Sequence, residues 1–197
     1  KKDFKPNDKA GKAIEYYERH LKTSKEVGDK TEEGWATGNL GIAYQRLGDF
    51  HKAIKYHERH LQIAKEVGGQ AEKGRTYRCL GIAYKSLSDF HKAIEYLEHG
   101  LQIAKEVGDK AEEGWAYINL GNAYNSSGDF HKAIEYCERH LQLSKDTEDK
   151  AGEGRAYGIL GNAYDGLGDF HKSIWYHGRH LKIAKEIEDK AEEGWAY

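Results

Sequence analysis

The sequence predicts an all-α solenoid of antiparallel helix pairs, and three observations carry that prediction. First, one unit of 40 residues is written almost five times with no insertion or deletion. Asp49-Phe50-His51-Lys52 returns as Asp89-Phe90-His91-Lys92, Asp129-Phe130-His131-Lys132 and Asp169-Phe170-His171-Lys172, and Leu40-Gly41-x-Ala43-Tyr44 returns at 80–84, 120–124 and 160–164. Second, the apolar positions Phe50, Ala53, Ile54, His57, Leu61 and Ala64 follow a helical period of about 3.6 residues, and no strand-like alternation is present. Third, Pro6 is the single proline, so nothing breaks these helices. A fixed period in this range means units that pack on their neighbours and build a continuous surface. Such a repeat builds a surface and not a closed pocket, so the question is what the surface holds.

The elements follow in order along one array over 1–197. The chain opens on a second-type helix over 10–27. Four repeats follow at 29–68, 69–108, 109–148 and 149–188, then a partial first-type helix at 189–197. The first helix of a repeat starts at an N-cap aspartate. Asp109 with Glu112 three residues on reads as a capping box, repeated by Asp29 with Glu32 and Asp189 with Glu192. Gly69-Gln70 and Asp149 with Gly152 depart from it. Gly48, Gly128 and Gly168 close the first helix at natural C′ positions, with Ser88 the exception. Asp49, Asp89, Asp129 and Asp169 then cap the second helix, which runs to Gly28, Gly68 or Gly108. The first helix also carries invariant glycines at Gly34/74/114/154/194 and Gly41/81/121/161. A mid-helix glycine costs about 1 kcal/mol against alanine, so close approach of a neighbouring helix is the expected compensation.

Composition narrows the function. Lys+Arg is 31 and Asp+Glu is 33, a net charge of −2, which gives no reason to expect nucleic acid or a membrane surface. No apolar run approaches the roughly 18 residues of a membrane helix, and no signal peptide is visible. The absence of methionine and the stop at Trp195-Ala196-Tyr197 suggest a piece of a longer array. Cys79 and Cys137 sit at different phases of the repeat and read as free thiols of a reducing compartment, so a cytoplasmic setting is expected.

Catalytic and metal chemistry find no support. There is no Ser/His/Asp order tied to a turn, no phosphate loop and no dinucleotide glycine pattern, and the acidic residues are expected on solvated faces and at caps. The chain is not expected to be an enzyme or to carry a cofactor. His57-x2-His60 and His177-x2-His180 have the spacing of a metal pair but no third ligand in reach. His51, His91, His131 and His171 are expected as neutral residues in the first turn of the second helix. His60-type residues are expected to pack between helices.

These residues resemble the tetratricopeptide repeat. That family's helix pair reads W-x2-L-G-x2-Y and then A-x3-F. Here Tyr77-x2-Leu80-Gly81-x2-Tyr84 precedes Ala93-x3-Leu97, and Tyr117-x2-Leu120-Gly121-x2-Tyr124 precedes Ala133-x3-Cys137. The period of 40, the missing terminal proline and the late His20, His60, His140 and His180 depart from the pattern, with Gly100 in that column once. The long form resembles LGN/Pins-type polarity adaptors, long tandem scaffold arrays and some innate-immune sensors. The resemblance implies a right-handed superhelix whose first helices line a concave peptide groove.

Near-identical repeats permit an internal comparison. Lys52, Ile54, Tyr56, Leu61, Lys65 and Gly74 are constant with their equivalents. The variable columns of the first helix are 35, 38, 42, 45 and 46. At about 100° per residue, 35, 38, 42 and 46 share one face, and Leu40, Gly41 and Tyr44 lie opposite. The column Trp35, Arg75, Trp115, Arg155, Trp195 is the sharpest feature. Trp and Arg are the residues most enriched in binding hot spots. The other reading is that Trp packs between repeats and stacks on Arg as a cation–π pair. Arg46, Arg75, Arg78 and Lys85 make the first half of the stripe basic, with Ile42 and Ile82 apolar beside them. Asn122, Asn125, Asn162 and Asp165 dominate the second half, with Arg155 alone. Family resemblance implies that Asn39, Asn119, Asn122 and Asn162 read the backbone of an extended peptide.

The leading expectation is therefore a protein-interaction scaffold. It would bind an extended or partly helical acidic segment through Trp35, Asn39, Ile42, Arg46, Arg75, Arg78, Ile82, Lys85, Trp115, Asn119, Asn122, Asn125, Arg155 and Asn162. The alternative is an architectural spacer or self-associating array with no peptide ligand. A nucleic-acid or ligand sensor is more distant. Ile14, Tyr17 and Leu21 at one end, and Trp195 and Tyr197 at the other, keep the internal pattern, which predicts end-to-end homo-association.

Overall fold

The structure, a computed structural model, describes residues 6–187. Among them are nine α-helices and no strand. The second-type helices are α1 (Pro6–Val27), α3 (Phe50–Val67), α5 (Phe90–Val107), α7 (Phe130–Asp146) and α9 (Phe170–Glu186). The first-type helices are α2 (Lys30–Arg46), α4 (Gln70–Ser86), α6 (Lys110–Ser127) and α8 (Lys150–Gly166). The class is all-α, built from antiparallel helix pairs of the solenoid type. Trp195, Tyr197 and the partial helix expected over 189–197 lie outside the described residues.

The turns follow the cap chemistry. Asp49, Asp129 and Asp169 each accept the backbone N–H of the lysine three residues on, and Asp89 does so from Lys92 at 3.2 Å. Gly28, Gly48, Gly68, Gly108, Gly128 and Gly168 all have φ between 72° and 86°. Ser88 and Glu148 occupy the same turn position without being glycine, at φ 61° and 56°. The capping box is realised on one side only. Asp29 accepts from the Glu32 N–H at 3.0 Å, but the Glu32 carboxylate reaches back across to His20 at 2.9 Å.

The helices divide into two compact units at Val107/Gly108. In the first, α1 to α5 pack in sequence, and α2 also touches α4. Its core includes Ile54, Leu61, Leu80 and Ala83, with Tyr77, Tyr84, Leu87 and Tyr96 packed on it. In the second, α6 to α9 pack in sequence, and α6 also touches α8. Its core gathers Ile118, Cys137, Ala156, Tyr157, Ile159, Leu160 and Ile183. In each repeat a constant tyrosine pair stacks nearly parallel: Tyr44 on Tyr56, Tyr84 on Tyr96, Tyr124 on Tyr136 and Tyr164 on Tyr176. The constant lysine of the second helix lies 4.7–5.1 Å from the centroid of the first ring of each pair.

Mid-helix glycines mark the closest helix approach. A Cβ on Gly41 would sit 2.5 Å from the His57 ring, on Gly81 2.5 Å from Leu97 and on Gly161 2.6 Å from His177. On Gly121 it would strike Cys137 Sγ. The facing residue changes from His to Leu to Cys to His, yet the glycine stays, because each is too large to share the space with a methyl group.

Three expectations are corrected. The carboxylates do not all lie on solvated faces: Glu33, Glu113 and Glu153 are buried. Glu33 accepts from Arg59 at 2.6 Å and Lys30 at 2.8 Å, and these two cations hold its carboxyl below the usual range. Lys110 and Lys150 serve Glu113 and Glu153 in the same way at 2.7 Å. Column 38 does not belong wholly to the solvated stripe, since Ile118 is buried in the core and Gly38 lies against His60. The capping box, as above, is half replaced by a cross-helix bond.

Candidate functional site

The solvated stripe of the first helices is built by exclusion. Leu40, Leu80, Leu120 and Leu160 are all 0% exposed, which fixes the rotation of each helix. Columns 35, 42 and 46 then face outward, and none of their described members is buried. In the first unit Trp35 is 48% exposed, Ile42 and Arg46 are exposed, and Ile82 and Lys85 are half-buried. Trp35, Ile42, Arg75, Arg78 and Cys79 line a concavity of ≈ 290 Å³ between α2 and α4. Its floor comes from α3, as His57 and His60. Burial pushes the His57 imidazole down to about 4, and it lowers His60 as well.

Each described member of the Trp/Arg column has a local partner, and one contact is the Trp–Arg stack that the sequence offered as its other reading. Trp35 meets the ring of Tyr17 edge-on at 5.5 Å and lies 5.2 Å from that of His20. Arg75 pairs with Glu72 at 3.0 Å. In the second unit the Arg155 guanidinium lies 5.0 Å from the centroid of the Trp115 ring, and Trp115 keeps 43% of its surface exposed. The Trp/Arg column therefore stacks between successive first helices there and still presents an aromatic face to solvent. Arg155 also contacts Asp149 at 3.3 Å.

The asparagines are more committed than expected. Asn39 donates to the Trp35 carbonyl at 2.9 Å, Asn119 to that of Trp115 at 2.7 Å, and Asn122 to that of Ile118 at 3.3 Å. Their amide N–H groups thus turn onto their own helix. Asn125 is half-buried with its Oδ1 out of solvent and unpaired, and Asn162 is exposed. Arg78 is half-buried at the edge of the first-unit concavity.

Sequence reasoning left His20, His60, His140, Glu32 and Glu72 out of the site. Their signal was present, because the histidine column and the capping-box glutamate recur in register. What links them is a contact across helices, which a helical wheel cannot show. The two cysteines are free thiols, and burial pushes Cys137 up to about 12, so it is not a nucleophile. Among the described residues no group of three or more His, Cys, Asp and Glu converges as metal ligands, and no helix is long and apolar enough to cross a membrane.

A tetratricopeptide repeat model matches residues 7–66, 35–106, 72–146 and 112–186. No curated protein matches the chain. Among solved structures, BtubC (BKLC) from P. vanneervenii is 25% identical with a TM-score of 0.82, over 92% of this chain and 75% of that one. Aspartyl phosphate phosphatase F from Bacillus subtilis is 17% identical with a TM-score of 0.82, over 91% of this chain and 47% of that one. A Rap protein complexed with Competence and Sporulation Factor is 19% identical with a TM-score of 0.80, over 94% of this chain and 52% of that one. The chain thus spans about half the length of the last two.

Proposed function

The chain belongs to the tetratricopeptide-repeat family, and on that premise we propose that it is a protein-interaction scaffold. It captures an extended or partly helical acidic segment on the solvated face of its first helices, and it has no catalytic role. The observation that carries this is the coincidence of variation with exposure. Among the described first helices the variable columns 35, 42 and 46 have no buried member, while the constant leucines are 0% exposed. Trp35 and Trp115 keep 48% and 43% of their surface exposed, and a Trp/Arg column is hot-spot chemistry. In the first unit Arg75, Arg78 and Ile42 share one concavity, which suits an acidic residue beside an apolar one.

The test is a peptide array, with affinities then measured by calorimetry at low and high salt. Reversing charge in Arg75→Glu/Arg78→Glu weakens binding of acidic peptides, and the loss shrinks as salt rises. Equal loss at both salts argues against charge recognition. The second reading, an architectural array, draws on the Arg155–Trp115 stack, which uses the column internally. Under it no peptide binds, and Trp115→Ala lowers stability alone. The scaffold setting is taken as cytoplasmic. Ile14, Tyr17 and Leu21 are taken as an end open to a second copy, which sedimentation over a range of concentrations checks.

A further inference from the structure

The second helices carry an arginine at 19, 59, 139 and 179, with His99 in that column once. Three of the four arginines meet a carboxylate. Arg59 reaches Glu33 at 2.6 Å, Arg139 reaches Glu135 at 2.6 Å, and Arg19 lies 3.9 Å from Glu15. In two of the three the partner stands four residues back on the same helix. Where that position holds Lys55, the first helix supplies Glu33 in its place. In these repeats the guanidinium is neutralised from within the chain.

Helix α9 breaks this rule. Trp175 stands where Arg139 has Glu135, and Gly178 stands where other repeats have Glu58, Glu98 and Glu138. The counterpart of Glu33 is Glu153, which is 5% exposed and gives its carboxylate to Lys150 at 2.7 Å. Arg179 lies over two rings instead, 5.5 Å from the centroid of Tyr157 and 5.9 Å from that of Trp175. Its Nε is buried without a hydrogen-bond partner, and no carboxylate among the described residues pairs with it. Trp175 meets Tyr176 edge-on at 4.8 Å and Tyr157 at 6.3 Å, yet 56% of its surface is exposed. That exposure belongs to the column, because Lys55, Glu95 and Glu135 are exposed too, each with the following first helix in place. Phe170 and Ile174 are no part of the cluster, since Phe130 and Ile54 in their columns pack on the next first helix at Gly166 and Leu80. Charge shifts the same way. Helix α7 sets Lys132, Arg139 and Lys145 against Glu135, Glu138 and Asp146, whereas α9 sets Lys172, Arg179, Lys182 and Lys185 against Glu186, a net of +3.

We propose that Tyr157, Trp175 and Arg179 form a second docking site, for a partner segment in which a glutamate or aspartate stands beside an apolar residue. Tyr157 follows Arg155 by two residues, about 200° round α8, so the site faces away from the stripe of columns 35, 42 and 46 and stands independently of it. The incoming carboxylate takes the terminal nitrogens of Arg179 as Glu135 takes Arg139, and its apolar neighbour lies on the open face of Trp175. A guanidinium already oriented by two rings loses little freedom when a carboxylate forks onto it, and the bond is charge-assisted. A protein segment matches this chemistry and an anionic membrane does not. A lipid-binding patch uses a cluster of about four to eight basic residues, whereas Lys172 and Lys182 are engaged by Asp169 and Glu186, and the ring-held Arg179 makes a point site.

The test uses the whole chain and a short peptide probe, acetyl-Leu-Glu-Leu-amide, with acetyl-Leu-Gln-Leu-amide as control. Saturable shifts of the Trp175 indole N–H and the Arg179 Nε–H are expected in nitrogen-15 spectra, with Trp35 and Trp115 unmoved. The glutamine control binds at least about tenfold more weakly, the loss of one charge-assisted bond. Trp175→Glu, at an exposed position, writes the α7 pairing into α9, so Arg179 is filled from four residues back and the probe no longer binds. Arg179→Gln weakens the probe by about tenfold. Equal binding of the two peptides, undiminished binding by either variant, or a response at Trp35 and Trp115 in place of Trp175 overturns the site. Binding that survives Arg179→Gln but not Arg75→Glu/Arg78→Glu sits on the stripe, which overturns the second site and leaves the scaffold reading standing. Vesicles of phosphatidylserine and phosphatidylcholine that shift Trp175 when neither peptide does overturn the partner segment in favour of a membrane surface. A glutamate probe that binds here when no peptide binds the stripe upholds the site and overturns the first-helix groove alone.

Discussion

At the residue scale, space and protonation decide most outcomes. Gly121 has no room for a side chain against Cys137. Gly121→Leu is expected to destabilise by about 1–3 kcal/mol through overpacking, despite its better helix propensity. A higher melting temperature would refute this. Ser88 and Glu148 hold left-handed backbone that their repeats elsewhere give to glycine. That conformation costs a non-glycine residue about 1–2 kcal/mol. Ser88→Gly and Glu148→Gly are therefore expected to raise the denaturant midpoint, by a gain near 1 kcal/mol each. His57 titrates in the opposite sense to a paired histidine. Burial depresses it from 6.5 to about 4 in the folded chain. Between those values the unfolded chain binds the extra proton, so its contribution is full above about pH 6.5 and is lost toward pH 4. His57→Leu, which copies Leu97 from the next repeat, is expected to flatten that acid limb in urea titrations.

At the element scale, the first helices owe their formation to packing. Each carries two glycines worth about 1 kcal/mol apiece against helix formation, and Gly34 and Gly41 of α2 are buried against α3. Glu33 adds a tie between the same two helices through Arg59 and Lys30. Its folded pKa is lowered, so this tie is present above the unfolded value of 4.5 and is lost as pH falls through the folded one. Glu33→Gln leaves both cations free to return to solvent. It is expected to lower stability at pH 7 by about 1–3 kcal/mol, with little difference from the parent at low pH. An unchanged pH profile would show that the tie is inert. The helices and their caps were legible in the sequence because N-cap aspartates and C′ glycines act within one turn. The burial of Glu33 was not, because Arg59 lies 26 residues away and on another helix.

At the scale of the whole molecule, the repeat makes stability local. Within each unit the helices pack on their sequence neighbours, so stability there is a sum of repeat and interface terms. The division at Val107/Gly108 gives a direct prediction. Residues 1–107 expressed alone are expected to be helical by circular dichroism and to unfold cooperatively in urea. Deleting one internal period, residues 89–128, joins Ser88 to Asp129 in phase and is expected to leave a folded, shorter array. Loss of helicity in either chain would show that order depends on the full length.

The sequence by itself determined the helical class, the register of the described repeats and the outward placement of columns 35, 42 and 46 of the first helices, though not that of column 38. Those follow from period, propensity and caps, which act over a few residues. It also exposed the Trp/Arg column as the place to look. The tertiary structure decided which polar groups are already satisfied. The Asn39 and Asn119 amides bond their own helix, Glu72 reaches His60 Nε2 and Thr76 its Nδ1, and His140, with Ala156 in the place of Thr76, keeps an unpaired Nδ1. A hydrogen bond depends on distances of a few tenths of an ångström between helices, and only the packed chain sets those.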